Sequence, residues 1–442
     1  MSSSSLHSAK TAEDTARLDL SRIYTEPVDW RYKGFPPVDD GVTIGTVGNQ
    51  DWNALEGDLI FPIMLIKERA LDGNIALMAR YCQEHDVSLA PHAKTPVAPQ
   101  IVERQLAAGA WGVTVATVQQ ARVLRAHGAA RILVANELLQ SPGLRWLMAE
   151  LQDDPEFEAF VSVDSVAAVA AMRTALEGLD VRRRLAVLVE LGIRGGRTGA
   201  RSRDEALAVA YAVQESAMLH VAGVTGYEGA AGGATHEARS ALVDEFLGEV
   251  RRLTGELDRR GLFLGNVEVV VSAGGSIFFD HVVAQLGSQW DLSQPVRLVL
   301  RSGSYVTQDS DTYDLLSPLG IRNTSGESLQ PALELWATVL SQPEPGLAVL
   351  NFGKRDTSYD LHLPIPFELR RGDARRAVEG EMTVTALNDQ HAYLRFDPGC
   401  DVAVGDLLGF GISHPCTAFD KWRLLPLVDE QYRVTGAIQT FF

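Results

Sequence analysis

From about residue 56 to about residue 304, short apolar runs of β character alternate with longer segments of helical period. That rhythm predicts a parallel sheet whose strands are joined by crossover helices. The runs fall at 87–90, 111–115, 132–134, 157–163, 185–191, 219–227, 267–272 and 296–300. Eight β/α units within about 250 residues predict a (β/α)8 barrel, an α/β fold. The helix before the first run carries Leu71, Ile75, Met78 and Cys82 on one face, so Cys82 is expected in the core. The longest helical segment, 236–259, places Leu242, Phe246, Val250, Leu253 and Leu257 on one stripe, as a helix packed outside a barrel should. Beyond residue 304 the pattern changes to short alternating runs at 333–340, 347–352, 381–387 and 406–412, broken by Gly, Pro and Asn. These predict a small β-rich domain. Residues 1–55 are polar and carry turn signals such as Gly34-Phe35-Pro36-Pro37 and Gly41. They read as a leader, disordered over its first twenty residues, followed by an extended arm. The expected division is an arm at 1–55, a barrel at 56–304 and a β-rich domain at 305–442.

Composition narrows the classes of function. With 442 residues, 46% hydrophobic and 22% charged, the chain has material for a large core and no bias toward disorder. Lys plus Arg number 40 against 57 Asp plus Glu, a net charge of −17. So acidic a surface repels phosphate backbones and anionic lipid headgroups, which argues against nucleic-acid and membrane partners. Three cysteines, Cys82, Cys400 and Cys416, cannot build a disulfide framework. No secretory apolar segment stands at the N-terminus, and no run of about 18 apolar residues occurs, so a cytoplasmic location is expected. There is no internal repeat, and the only low-complexity stretch is Ser2 to Ser5. The arginine runs 182–184 and 375–376 read as solvated surface.

In a (β/α)8 barrel the site is built at the C-terminal ends of the strands. After the first run stands Pro91-His92-Ala93-Lys94-Thr95. In extended backbone His92 and Lys94 point the same way, toward the barrel mouth. A lysine there is poorly solvated, which lowers its pKa and makes it a candidate amine nucleophile for a Schiff base, with a surface lysine as the plain alternative. Ser272-Ala273-Gly274-Gly275-Ser276 follows the seventh run and Arg301-Ser302-Gly303-Ser304-Tyr305 the eighth. These are the two loops that commonly bind phosphate in this architecture, although either could be a tight turn. The glycines of 192–199 lack dinucleotide-fingerprint spacing, so Arg197 reads better as a cation near a cofactor oxygen. Tyr227 could face the barrel axis or be a core tyrosine. In the β-rich domain, His414 and Cys416 share a face in extended geometry and could hold one metal ion, zinc by their softness. Two protein ligands leave positions for water and substrate, which suits catalysis.

Three segments together resemble one family. They are Pro91-His92-Ala93-Lys94-Thr95, the strand-helix series through Gly109 to Asn136-Glu137, and His414-Pro415-Cys416-Thr417-Ala418-Phe419-Asp420-Lys421-Trp422. They resemble the D-serine dehydratase and D-threonine aldolase family, pyridoxal-phosphate enzymes of the alanine-racemase fold, from about residue 57 to the C-terminus. The resemblance implies that Lys94 is the cofactor lysine, that Arg197 lies near the cofactor's phenolic oxygen and that the 274–276 loop holds its phosphate. His414 and Cys416 match the metal pair. A cysteine at 416 implies the zinc-dependent dehydratase branch, since aldolase relatives carry a carboxylate there for a harder ion. The resemblance therefore implies a homodimeric, cytoplasmic lyase for D-serine or a related β-hydroxy D-amino acid such as D-threonine. Retro-aldol cleavage is the alternative chemistry, and a non-catalytic cofactor carrier the alternative of another class.

Overall fold

A computed structural model describes residues 17–442 apart from 39, 40, 264, 321, 324 and 325. The leader expected to be disordered lies largely outside these residues. The barrel strands are β2 to β9, preceded by β1 (Ile63–Lys67). They are β2 (Ser88–Leu89), β3 (Val113–Val115), β4 (Arg131–Glu137), β5 (Glu158–Val163), β6 (Leu185–Leu191), β7 (Leu219–Gly226), β8 (Val269–Ala273) and β9 (Val296–Leu300). All their pairings are parallel and run in the order β2-β9-β8-β7-β6-β5-β4-β3. The ring closes through a single parallel bridge between His92 and Thr114. Both faces of these strands are covered, so β6 is buried along all seven residues and reads as an unbroken apolar run. Inside the barrel Ala90, Leu133, Phe160, Ala186, Leu188, Ala222, Val270 and Val299 form their own cluster.

Four of the crossover helices start at Ser or Thr caps. Thr117, Ser165, Ser202 and Thr235 each accept an N–H from the first turn that follows. Cys82 is buried in the helix Glu68–Glu84, and burial pushes its thiol up to about 12. On His236–Arg259 the expected stripe is rotated. Leu242 is 47% exposed, whereas Val243 and Leu247 join Phe246, Val250, Leu253 and Leu257 in the core. Nor is Arg183 solvated surface: it is half-buried and donates to the carbonyls of Leu151, Asp154 and Phe157 at the close of a helix.

The remaining strands are β10 (Leu333–Glu344), β11 (Leu347–Leu350), β12 (Ile365–Arg371), β13 (Ala374–Ala377), β14 (Met382–Leu387), β15 (Ala392–Phe396), β16 (Leu407–Gly411), β17 (Leu424–Val428) and β18 (Val434–Gln439). Their sheet also claims β1, antiparallel to β10 and parallel to β17. Residues 56–304 were expected to form the barrel unit, but this first strand belongs to the C-terminal sheet. Its five residues are all buried, and the register Ile63 to Trp336 gives them partners the closed barrel cannot supply. The arm reaches the same sheet. Lys33 Nζ lies 3.7 Å from the Trp422 ring centroid and 2.9 Å from Asp356 Oδ1, bracing the segment after the helix Pro415–Phe419.

Candidate active site

A cavity of about 500 Å³ opens at the C-terminal ends of the barrel strands. His92, Lys94, Arg197, Tyr227, Gly275, Ser276, Gly303, His414 and Cys416 all line it, so one pocket gathers residues from both ends of the chain. The other three expected contacts do not line it. Ser272 lies in β8 and donates its hydroxyl to Val299 O at 3.0 Å, because its place in the strand points it into the sheet. The Tyr305 hydroxyl accepts from Gln105 Nε2 at 2.8 Å in the core. Gly274 makes its turn at φ +98° behind the cavity, and its N–H donates to Glu228 at 3.0 Å.

Lys94 and His92 both reach the cavity, yet the backbone is extended only as far as His92, and Lys94 stands in a turn. Burial holds the Lys94 ammonium below its ordinary range, Arg197 and Arg301 push the same way, and Cys416 opposes them. The basicity of His92 is suppressed by burial and then by Lys94 and Arg301, and its Nδ1 is buried without a protein partner. The Arg197 guanidinium stacks 4.3 Å from the Tyr227 ring centroid.

His414 and Cys416 converge by a route different from the extended one expected. Pro415 fixes the first helical φ, so His414 caps the helix Pro415–Phe419 and Cys416 sits in its first turn. Burial pushes the Cys416 thiol up, but hydrogen bonds from His414, Thr95 and Ser304 prevail and hold it below the ordinary thiol range. The Thr95 hydroxyl is 3.2 Å and the Ser304 hydroxyl 3.7 Å from the sulfur. The hydrogen bond to Cys416, with Asp360 adding to it, raises His414 to about 9. Asp360 Oδ2 lies 2.6 Å from His414 Nδ1, and its other oxygen accepts from Thr417 Oγ1 at 2.6 Å. A carboxylate on Nδ1 holds one ring proton there, so a metal ion that displaced the other from Nε2 would meet that nitrogen's lone pair, the usual support of a metal-binding imidazole. Among the described residues no cluster of three or more His, Cys, Asp or Glu is placed to hold a metal. Asp360→Asn is expected to weaken zinc binding about 10- to 100-fold by calorimetric titration. An unchanged affinity would mean that His414 is oriented by something else.

Three carboxylates crown adjacent strands: Glu137 at the end of β4, Asp164 after β5 and Glu190 in β6. Glu190 lines the cavity and accepts from Thr198 Oγ1 at 2.8 Å, while Asp164 accepts the Gly199 N–H at 3.1 Å. Both Glu137 carboxyl oxygens are buried with no donor beside them. Burial, then Glu190 and Asp164, push Glu137 up to about 7, so below neutrality it is protonated and in that form able to donate to Glu190. Because the folded chain holds this proton more tightly than the unfolded one, the associated stability is full below the ordinary carboxyl range and lost as pH rises through about 7. Glu137→Gln should therefore melt higher than the unsubstituted chain at pH 8, by on the order of 2 °C after allowing for solvent screening, and level with it near pH 4.5. Equal offsets at both pH values in thermal melts would contradict this.

Residues 66–283 match the alanine racemase N-terminal domain and 332–428 the serine dehydratase domain that accompanies it. The chain belongs to the D-serine dehydratase and D-threonine aldolase family. The family's cofactor is pyridoxal phosphate and its members are lyases. A D-threonine aldolase of Arthrobacter sp. is 26% identical over 363 residues, 81% of this chain and 86% of that one. The crystal structure of D-threonine aldolase from Filomicrobium marinum superposes with a TM-score of 0.70 at 25% identity, covering 87% of this chain and 95% of the other. D-threo-3-hydroxyaspartate dehydratase of Delftia sp. is 32% identical over 154 residues, 34% of this chain and 38% of that one. A mutant D-threo-3-hydroxyaspartate dehydratase in a metal-free form superposes with a TM-score of 0.66 at 22% identity, covering 87% and 98%. The alanine-racemase barrel with a C-terminal β-rich domain is thus common to the family and this chain.

Thr95, Glu228, Arg301, Ser304 and Tyr313 also line the cavity without having been singled out from the sequence. Arg301, the first residue beyond β9, carried a positional signal that was legible. Asp360 carried none, since no spacing rule links it to His414, 54 residues away.

Proposed function

We propose that this chain is a pyridoxal-phosphate and zinc-dependent dehydratase of D-serine or a related β-hydroxy D-amino acid such as D-threonine, yielding a 2-oxo acid and ammonia. The observation that carries the reading is the single cavity lined by Lys94 from the barrel and by His414 and Cys416 from the β-rich domain. The residues suit the cofactor: a desolvated amine at Lys94, an unpartnered His92 Nδ1, and the loop segments 276–277 and 303–304 for the phosphate. The imidazole and lowered thiol suit a soft ion such as zinc.

When bound, the cofactor supplies an electron sink for charge at Cα, and the metal a Lewis acid for the β-oxygen. Lys94 Nζ would hold the cofactor and, once released from it by the incoming amino acid, is the poorly solvated amine suited to take the proton from Cα. Arg197, fixed by its stack on Tyr227, offers its guanidinium to an oxygen of the bound group. Thr95 and Ser304 steady the Cys416 sulfur, and Asp360 steadies His414.

The second reading, aldol cleavage to glycine and an aldehyde, is favoured by the 81% of this chain that aligns with the Arthrobacter aldolase. A cofactor carrier is disfavoured because the β-rich domain contributes His414 and Cys416 to the cavity wall. Incubating zinc- and cofactor-loaded protein with D-serine, D-threonine and L-serine, with and without chelator, discriminates them. Ammonia with 2-oxo acid, lost on chelation, is the expected result, whereas glycine with aldehyde would replace it by the aldolase. No turnover at all would favour the carrier. The division into arm, barrel and β-rich domain, the cytoplasmic location and a homodimeric assembly are part of the same proposal. Sedimentation at two or more concentrations tests the last.

A further inference from the structure

Glu228 follows β7 and is fully buried. Its carboxylate accepts the Gly274 N–H at 3.0 Å and the Gly275 N–H at 2.6 Å. The same turn is held from the other side, where Gly274 O accepts from Arg301 N at 3.0 Å and Ser302 Oγ bridges the carbonyls of Gly274 and Gly275 at 3.2 and 3.1 Å. Space is tight as well: a Cβ on Gly274 would come within 2.7 Å of Leu300 Cδ2, and one on Gly275 within 3.1 Å of the Tyr227 ring. The first two amides of the glycine loop are therefore engaged by protein and are not available to an anion. Ser276 and Ile277, and Gly303 and Ser304 from the next loop, line the cavity, and their N–H groups meet no protein acceptor among the described residues. Burying a carboxylate is costly unless its charge is balanced, and the buried Arg301 faces Glu228.

We propose that Glu228 is the positioning residue of the phosphate cradle. By fixing the Gly274–Gly275 turn it sets the amides of Ser276, Ile277, Gly303 and Ser304 toward the cofactor's phosphate. The proposal rests on the pyridoxal-phosphate reading above. A glutamine at 228 keeps one acceptor oxygen and turns its NH2 against the second amide, setting donor against donor.

The test compares pyridoxal phosphate with pyridoxal, which lacks the phosphate, by absorbance titration of the purified chain, with inorganic phosphate as competitor. The unsubstituted chain should prefer the phosphorylated form, and inorganic phosphate should compete with it. Glu228→Gln should lower affinity for pyridoxal phosphate about 10- to 100-fold and leave that for pyridoxal nearly unchanged. Glu228→Asp, which keeps the charge against Arg301 but shortens the reach, should lose part of the preference and serves if the glutamine variant does not fold. Full phosphate preference in either folded variant overturns the assignment. An unsubstituted chain that binds both forms equally overturns the cofactor reading instead.

Discussion

Lys94→Ala is expected to abolish the visible absorbance of the lysine-bound cofactor and to lower turnover of D-serine by at least about 10⁴-fold, with the circular dichroism of the fold retained. Under the proposed function two roles would meet on this amine, attachment of the cofactor and removal of the Cα proton, and both require an unprotonated Nζ. The environment favours that state, since burial acts first and Arg197 and Arg301 act with it. No other lysine lines the cavity among the described residues, so no neighbour can take over. Retained cofactor absorbance in the variant, or turnover within tenfold of the unsubstituted chain, would remove Lys94 from the mechanism.

Cys416→Ala separates the metal from the cofactor. The cofactor absorbance should persist while turnover falls about 10³-fold, and tightly bound metal should drop well below one ion per chain by elemental analysis. The expected effect is large because the proposed site would hold the ion by only two side chains, and alanine leaves one. Thr95 and Ser304 remain beside the vacated position, but neutral hydroxyls bind zinc weakly compared with a thiolate. Normal ammonia production by the metal-free variant would end the Lewis-acid reading and leave His414 and Cys416 a structural pair. Both variants are best assayed with D-threonine too, because an aldehyde product would reveal which bond the site breaks.

The barrel was legible because periodic burial writes itself into sequence. Strands buried on both faces appear as apolar runs, and the runs at 185–191 and 296–300 coincide with β6 and β9. The strand Ile63–Lys67 looks like one more such run, and nothing local separates a barrel strand from one that crosses to the other sheet. That choice belongs to its partners, Leu333 to Trp336 on one side and Leu427 and Val428 on the other. Weakly apolar strands such as Ala374–Ala377 were missed for the opposite reason, since half-exposed edge strands carry little pattern.

The site divides in the same way. Lys94, His414 and Cys416, which the structure brings to one cavity, could be singled out as candidates from type, spacing and family resemblance, because an amine after an apolar strand and a soft ligand pair are informative by themselves. Groups that act through long-range pairing could not. Glu228 meets Gly274 and Gly275, 46 and 47 residues on, Asp360 meets His414, and Glu137 meets Glu190, each across a gap that no local rule spans. The sequence alone determined the alternation of strand and helix, and it singled out Lys94, His414 and Cys416 as candidates, because these depend on local periodicity and intrinsic chemistry. Tertiary structure alone decided which sheet takes the first strand, which glycine amides remain for an anion and which carboxylates hold the active groups in place. Those outcomes depend on burial and on the distance between segments that become neighbours only when the barrel closes.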